Sequence, residues 1–301
     1  QSHWLFDSFL FLEIMDTGTG GANKMFAKGY NLESANQADW MKLIDYYFQS
    51  ETGIGALDAS VKEASAILGT PRQKRQIVIS IPEPIVYQHP EQASSSTKYW
   101  GKIDNQTLDF SNSADRIKAC KWYIDQVRAK FNEKNYQHVE LAGFYWLAEK
   151  ATDTRDILNA VAIYLNKLKY SFNWIPYYGA DGYNQWKSLG FNYAYFQPNY
   201  FFNESVPDSR LEDACQKALT YDMHMELEFD DNALNSRGKA YRLKNYMSAF
   251  KKHGIWEKKR LAYYQGSASL LTLKKSGNAA DTQLYHEFCN FVISRPIRSS
   301  H

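Results

Sequence analysis

The sequence predicts a single α/β barrel of the (β/α)8 type over residues 1–301, one that either lacks its first strand or hides it. Three observations predict it. About seven strand patterns alternate with helix patterns along the chain. No dinucleotide fingerprint follows any strand, which disfavours an open doubly wound sheet. Carboxylates, amides and aromatic rings gather where the strands end, which is where a barrel carries its site.

Leu5 to Met15 reads as an apolar strand carrying Asp7 and Glu13, followed by the polar, glycine-containing segment Asp16 to Asn36. Thr17-Gly18-Thr19-Gly20-Gly21 lacks the Gly-Lys-Ser/Thr of a phosphate loop and reads as a plain loop. Helical patterns span Ala38 to Phe48 and Ala56 to Leu68, the second stopped by Gly69-Thr70-Pro71. Gln76 to Ile81 is a strand ended by Pro82-Glu83-Pro84, and His89 to Asn112 is a long polar loop. Asn105-Gln106-Thr107 and Asn203-Glu204-Ser205 match glycosylation triplets that arise often by chance. A helix starts at Ser113 with Ile117, Cys120, Ile124, Val127 and Phe131 on one face, and the strand Val139 to Trp146 follows. Thr152 is the expected cap of the next helix, which runs through Ile157, Val161, Leu165 and Leu168, so Glu149 lies in a strand-to-helix turn. Strand Phe172 to Tyr177, a short helix around Asn184 to Leu189, strand Phe191 to Gln197 and helix Asp208 to Thr220 come next. After the strand in Tyr221 to Asp230, helix Ser236 to His253, strand Leu261 to Gln265 and helix Thr282 to Ile293 complete the chain.

The stretch Tyr221 to Asp230 is two-sided. Alternation puts Met225, Leu227 and Phe229 on one face and His224, Glu226, Glu228 and Asp230 on the other. Buried carboxylates in a parallel sheet cost stability through desolvation and mutual repulsion unless something uses or compensates them. An exposed antiparallel strand would carry the same pattern at no cost.

Composition narrows the function. A formal charge of +2 without a dense Lys/Arg stripe argues against nucleic acid as a partner. Aromatic residues make up 16% of the chain, which suits both sugar-stacking surfaces and ordinary cores. Cys120, Cys215 and Cys289 have no paired spacing and read as buried free thiols. No apolar run reaches a membrane span, no motif suggests a cofactor, and no HExxH or Cys/His cluster suggests a metal. The sequence carries no sign of an obligate protein partner.

Several segments together resemble a known family. Gly143-Phe144-Tyr145-Trp146-Leu147-Ala148-Glu149, Trp174-Ile175-Pro176-Tyr177-Tyr178-Gly179-Ala180, Gln197-Pro198-Asn199-Tyr200, Glu226-Leu227-Glu228-Phe229-Asp230 and Tyr263-Tyr264-Gln265-Gly266 are similar to the bacterial domain of unknown function 4855. Phe6-Asp7-Ser8-Phe9-Leu10-Phe11-Leu12 and Ile79-Ser80-Ile81-Pro82 extend the resemblance over nearly the whole chain. It implies a barrel related to glycoside hydrolases, usually in exported proteins of polysaccharide-degrading bacteria, and supplies no established catalytic residues. In the resembled family a strand precedes Phe6-Asp7. If it is missing here, Glu149 follows strand four and Glu226-Leu227-Glu228 lies in strand seven, where retaining barrel glycosidases hold acid/base and nucleophile.

The expectation is therefore hydrolysis of a glycosidic bond in a poly- or oligosaccharide, with Glu149 as general acid/base and Glu228 as nucleophile. Glu226 would tune that charge or bind a hydroxyl, with Asp230 at the end of the same strand and Glu83 and Gln265 at other strand ends as further substrate-binding candidates. Tyr145, Trp146, Tyr177 and Tyr178 would meet sugar rings, while Gln197 and Asn199 would hold hydroxyls. Bland roles exist beside these. Trp146 and Trp174 equally fit packing under the helices, Glu149 fits a helix-start carboxylate, and Tyr263 and Tyr264 face opposite ways. Two other functions remain open at this point: a carbohydrate-binding barrel without chemistry, and an enzyme of phosphorylated metabolites that uses Gly266-Ser267-Ala268-Ser269 as a cradle.

Overall fold

The computed structural model describes residues 3–16, 23–266 and 268–296. Seven strands form one sheet in chain order: β1 (Ser8–Phe11), β2 (Arg75–Ile81), β3 (Val139–Trp146), β4 (Ser171–Trp174), β5 (Tyr193–Phe196), β6 (His224–Glu228) and β7 (Leu261–Tyr264). Every neighbouring pair is parallel. The sheet curls until Phe6, just ahead of β1, meets Tyr263 of β7 with ring centroids 5.4 Å apart. Among the described residues β1 and β7 do not pair, so this is a (β/α)8-type barrel with seven of its eight strands.

The helices are α1 (Gln37–Tyr47) and α2 (Ile54–Leu68) after β1, α3 (Ser113–Lys134) after β2, α4 (Arg155–Lys167) after β3, α5 (Ser209–Thr220) after β5, α6 (Ala240–Lys252) and α7 (Ile255–Lys258) after β6, and α8 (Ser269–Lys275) and α9 (Ala279–Ile293) after β7, while β4 is followed by the single 3-10 turn Tyr183–Gln185 where the sequence predicts a short helix. Asn36 and Asp39 form a reciprocal capping box at the start of α1. Thr152 does not cap α4. Thr154 takes that position, and the Thr152 hydroxyl donates to Asp181 instead. The opening strand is shorter than its apolar run, because Met15–Asp16 leaves the barrel to pair with Lys24–Met25 in a small separate sheet. The loop after β2 contains the hairpin Lys102–Ile103 and Gln106–Thr107, turned by Asp104 and Asn105 at φ 51° and 62°, a conformation Asp and Asn tolerate best among side-chain-bearing residues. The segment Thr17 to Gly21 lies outside the described residues. No helix among the described residues is long and apolar enough to cross a membrane.

One irregularity decides what enters the barrel. The register between β2 and β3 slips, with Ile77 opposite Leu141 and Val78 opposite Gly143, so Ala142 is an extra residue. The bulge inverts the alternation beyond it. Tyr145 pairs with Ser80 and Asn173 on the interior face, while Phe144 and Trp146 turn outward to the helices. Gly143 packs so tightly beside the bulge that an added Cβ would lie 2.0 Å from Ser171 Oγ and 2.6 Å from its carbonyl. Gly143→Ala is therefore expected to destabilise the fold by about 1–3 kcal/mol, read as a fall in the urea midpoint with an unchanged slope. An unchanged midpoint would show that β4 yields freely.

Candidate functional site

Cross-strand partners share a face, so β6 presents Glu226 and Glu228 on the same side as Ala262 and Tyr264 of β7. Met225, Leu227 and Phe229 fill the opposite side and are fully buried, as their alternation predicts. Phe229 and Tyr263 both pack on Phe288 of α9. Of the Tyr263 and Tyr264 pair, then, Tyr264 belongs to the mouth.

Three carboxyls interact there: Glu149, Glu226 and Glu228. Their surroundings differ sharply. Glu228 is 0% exposed and its carboxylate is wrapped by donors. Gln197 Nε2 donates to Oε1 at 2.9 Å, while the Asn199 N–H at 2.9 Å and the Tyr246 hydroxyl donate to Oε2. Burial pushes its pKa up, and these donors, joined by the Tyr200 N–H, pull it back toward the ionised form. Glu226 is 7% exposed, and neither its carboxyl nor that of Glu149 makes a hydrogen bond among the described residues. Burial, then the charges of Glu228 and Glu149, hold Glu226 well above the carboxylate range. Glu149, half-buried after β3, is pushed up to about 7 by burial and then by Glu228. All three carboxyls are thus raised: Glu228 against the pull of its donors, Glu226 with no such donor, and Glu149 to about 7.

No group of three or more His, Cys, Asp or Glu among the described residues is arranged to hold a metal ion. A separate cavity of about 160 Å³ beside Glu13, Tyr46, Tyr47 and Thr52 contains none of the three carboxyls.

The other sequence-predicted residues divide. Tyr145 is buried beside the carboxyls, and after burial itself Glu149 and Glu226 raise its phenol. Asn199 is exposed at the rim with φ 52°, and its backbone and side chain meet Glu228 and Gln197. Tyr177 is half-buried there, bridged through its backbone to Gln197. Gln197 itself is committed to Glu228. Asp230 flanks Tyr264 and raises its phenol, but its carboxylate accepts from Asn232 to start the turn Asp231–Ala233.

Four residues depart from the expected site. Trp146 is fully buried under the helices, donating to Thr154 and packing on Phe172, because the bulge turned it outward. Tyr178 turns to α5, where its hydroxyl donates to Asp213 and Arg210 stacks on its ring at 3.8 Å. Gln265 accepts from the Leu270 N–H at the start of α8. Glu83 is buried away from the other carboxyls and accepts from the Lys28 N–H at 2.7 Å. The proposed phosphate cradle fails as well, since Gly266 packs against Asp230 and the Ser269 hydroxyl donates to Asp231, an anionic setting. Ser267 lies outside the described residues.

Tyr246, Tyr30 and Phe202 enter the site without having been expected. Tyr246 sits in α6, where helical spacing reads only as core. Its phenol is pushed far up by burial and then by Glu228. Tyr246→Phe is expected to cost about 1.5–3 kcal/mol, the range for a hydrogen bond to a charged group, measured by urea unfolding. A loss under half a kcal/mol would show that Glu228 finds another donor.

The fold and this rim define a seven-stranded member of the barrel class with a carboxylate-lined mouth. The chain belongs to the family described as Domain of unknown function (DUF4855), whose model matches residues 1–290. Among solved structures, the catalytic domain of a family GH18 chitinase from the fern Peteris ryukyuensis is 11% identical over 78% of each chain, at a TM-score of 0.40. A triazine hydrolase from Arthobacter aurescens is 12% identical, covering 88% of this chain and 66% of that one, at a TM-score of 0.33. A search of curated proteins returned no match.

Proposed function

We propose that this protein hydrolyses a glycosidic bond in a poly- or oligosaccharide. The observation that carries the reading is the graded set of three carboxyls at the carboxyl ends of β3 and β6, one of them titrating at about 7. Glu149 is the general acid. It protonates the leaving oxygen as the bond to the sugar carbon breaks, water supplies the new hydroxyl, and the proton of that water returns to a carboxylate of the set. Glu228 has no exposed surface, so direct attack on a sugar is blocked by its own hydrogen-bond partners. Contact with the sugar falls to Glu226, and Glu228 supplies a fixed negative charge beneath the positive charge that develops on the ring.

The full cover of Glu228 equally suits a barrel that binds carbohydrate without cleaving it. Release of reducing ends from a panel of polysaccharides and oligosaccharides separates the two, read beside the glycan affinity of the Glu149→Gln protein. Release by the native chain and retained binding by the variant support hydrolysis. Binding by both proteins with release by neither favours the binding protein, and no binding at all sinks both. Export from the cell belongs to the same reading, as the setting in which a polysaccharide is met.

A further inference from the structure

Three large rings stand exposed around the carboxyls: Tyr30 at 39%, Phe202 at 40% and Tyr264 at 48%. Each is presented by a pinned segment. Tyr264 ends β7 opposite Glu228, and its ring meets Phe202 edge-on with centroids 6.0 Å apart. Phe202 lies in a loop whose carbonyls are gripped by cations. Arg242 donates to the carbonyls of Tyr200, Asn203 and Val206, and Lys239 Nζ donates to the Phe202 carbonyl at 2.8 Å.

Tyr30 comes from a segment strapped over the rim. The Phe26 carbonyl accepts from the Glu83 N–H, the Lys28 N–H donates back to the Glu83 carboxylate, and Lys28 Nζ pairs with Asp153 at 3.1 Å. Glu83 follows β2 and Asp153 follows β3, so the strap is tied across two strand ends. Tyr30 lies near enough to Glu149, beyond β3, and to Tyr264, at the end of β7, to interact with both. Among the described residues β1 and β7 do not pair, so one place of an eight-place barrel lies between them, and β3 and β7 stand four places apart, facing each other. Tyr30 therefore overhangs the mouth.

Charge limits what could lie between these rings. Four carboxyls, Glu149, Glu226, Glu228 and Asp230, line the mouth; of the cations beside it Lys28 is paired with Asp153, while Lys239 and Arg242 direct their donors at loop carbonyls. A sugar acid would face these carboxyls while the donors of the three cations are already directed elsewhere.

We propose that Tyr30 on one lip and Tyr264 with Phe202 on the other form an aromatic clamp that stacks on the apolar faces of a pyranose chain, selecting neutral or amino-bearing glycans over uronic ones. The clamp rests on the carbohydrate reading of the site and specifies its substrate class. Rings on both lips grip a sugar against the carboxyls below, and acidic walls exclude anionic chains.

The test is binding of the Glu149→Gln protein to an array of neutral, amino-bearing and uronic tetrasaccharides, then calorimetry with the best binder. Tyr30→Ala, Phe202→Ala and Tyr264→Ala, each added to that background, are expected to weaken binding roughly 3- to 10-fold. Their melting temperatures should stay close to that of the parent, since all three rings are exposed. Tyr30→Phe keeps the ring and should keep the affinity. A preference for uronic glycans, or affinity indifferent to all three rings, overturns the clamp. Sugar release that requires Glu149 while ignoring the rings removes the clamp and leaves the hydrolase; ring-dependent binding without release by the native chain does the reverse. Silence on the array removes both.

Discussion

Glu149→Gln is expected to lower turnover by about 10²- to 10⁴-fold, the range supplied by a positioned proton donor, while glycan affinity stays within a few-fold. The amide keeps the shape of the side chain and removes only its titrating proton. The pH profile gives a second, independent signature. Glu149 must be protonated to act, so the native rate should fall as pH rises through about 7, and the variant's residual rate should lack that limb. Stability should respond too. The folded group holds its proton up to about 7, whereas an ordinary carboxyl at 4.5 has released it. Folded chains therefore bind more protons than unfolded ones between those values, and stability falls as pH rises through that window. Urea midpoints across it should decline for the native protein and decline less for Glu149→Gln. A native midpoint that rises with pH through the window would mean that Glu149 is not buried as described.

The strands and helices were legible because hydrophobic periodicity survives in a barrel, where each strand packs one face against helices and each helix returns one stripe. The acidic face of β6 was legible for the same reason. Alternation alone separated Glu226 and Glu228 from Met225 and Leu227, and the register with β7 placed Tyr264 beside them. What alternation could not supply was its own interruption. Nothing in Gly143-Phe144-Tyr145-Trp146 announces the extra residue at Ala142, so Tyr145 and Trp146 read as joint candidates although neighbours on a strand cannot share a face. Tyr246 was hidden by a different mechanism, since a tyrosine at a core position of α6 looks the same whether or not its hydroxyl reaches a carboxylate. Tyr30 was hidden by distance along the chain: its loop is held over the mouth by Glu83 and Asp153, 55 and 125 residues from Lys28. Phe202 did leave a trace, because Phe201-Phe202 in a polar loop cannot readily bury both rings, and Phe201 is the buried one.

Glu228→Ala is the substitution expected to cost most, about 3–5 kcal/mol of folding stability. Truncation removes the acceptor from three donors at once, leaving the Tyr246 hydroxyl, the Gln197 amide and the Asn199 N–H without it. Asn199 sits in a left-handed conformation at φ 52°, and its N–H is the backbone donor that ties this turn to β6. Glu228→Gln should fall between the two. Its oxygen can still accept from one side, but its NH2 group confronts a donor on the other. A purely structural account would end at that ranking, yet Glu228 also neighbours Glu149, the proposed general acid, whose pKa its charge helps to raise. In either variant, the limb assigned to Glu149 should move to lower pH, because burial remains and the neighbouring charge is gone. Loss of stability with an unmoved limb would reduce Glu228 to an anchor for the rim. A moved limb means that the residue which fixes the rim also sets the pH at which the proposed acid, Glu149, gives up its proton.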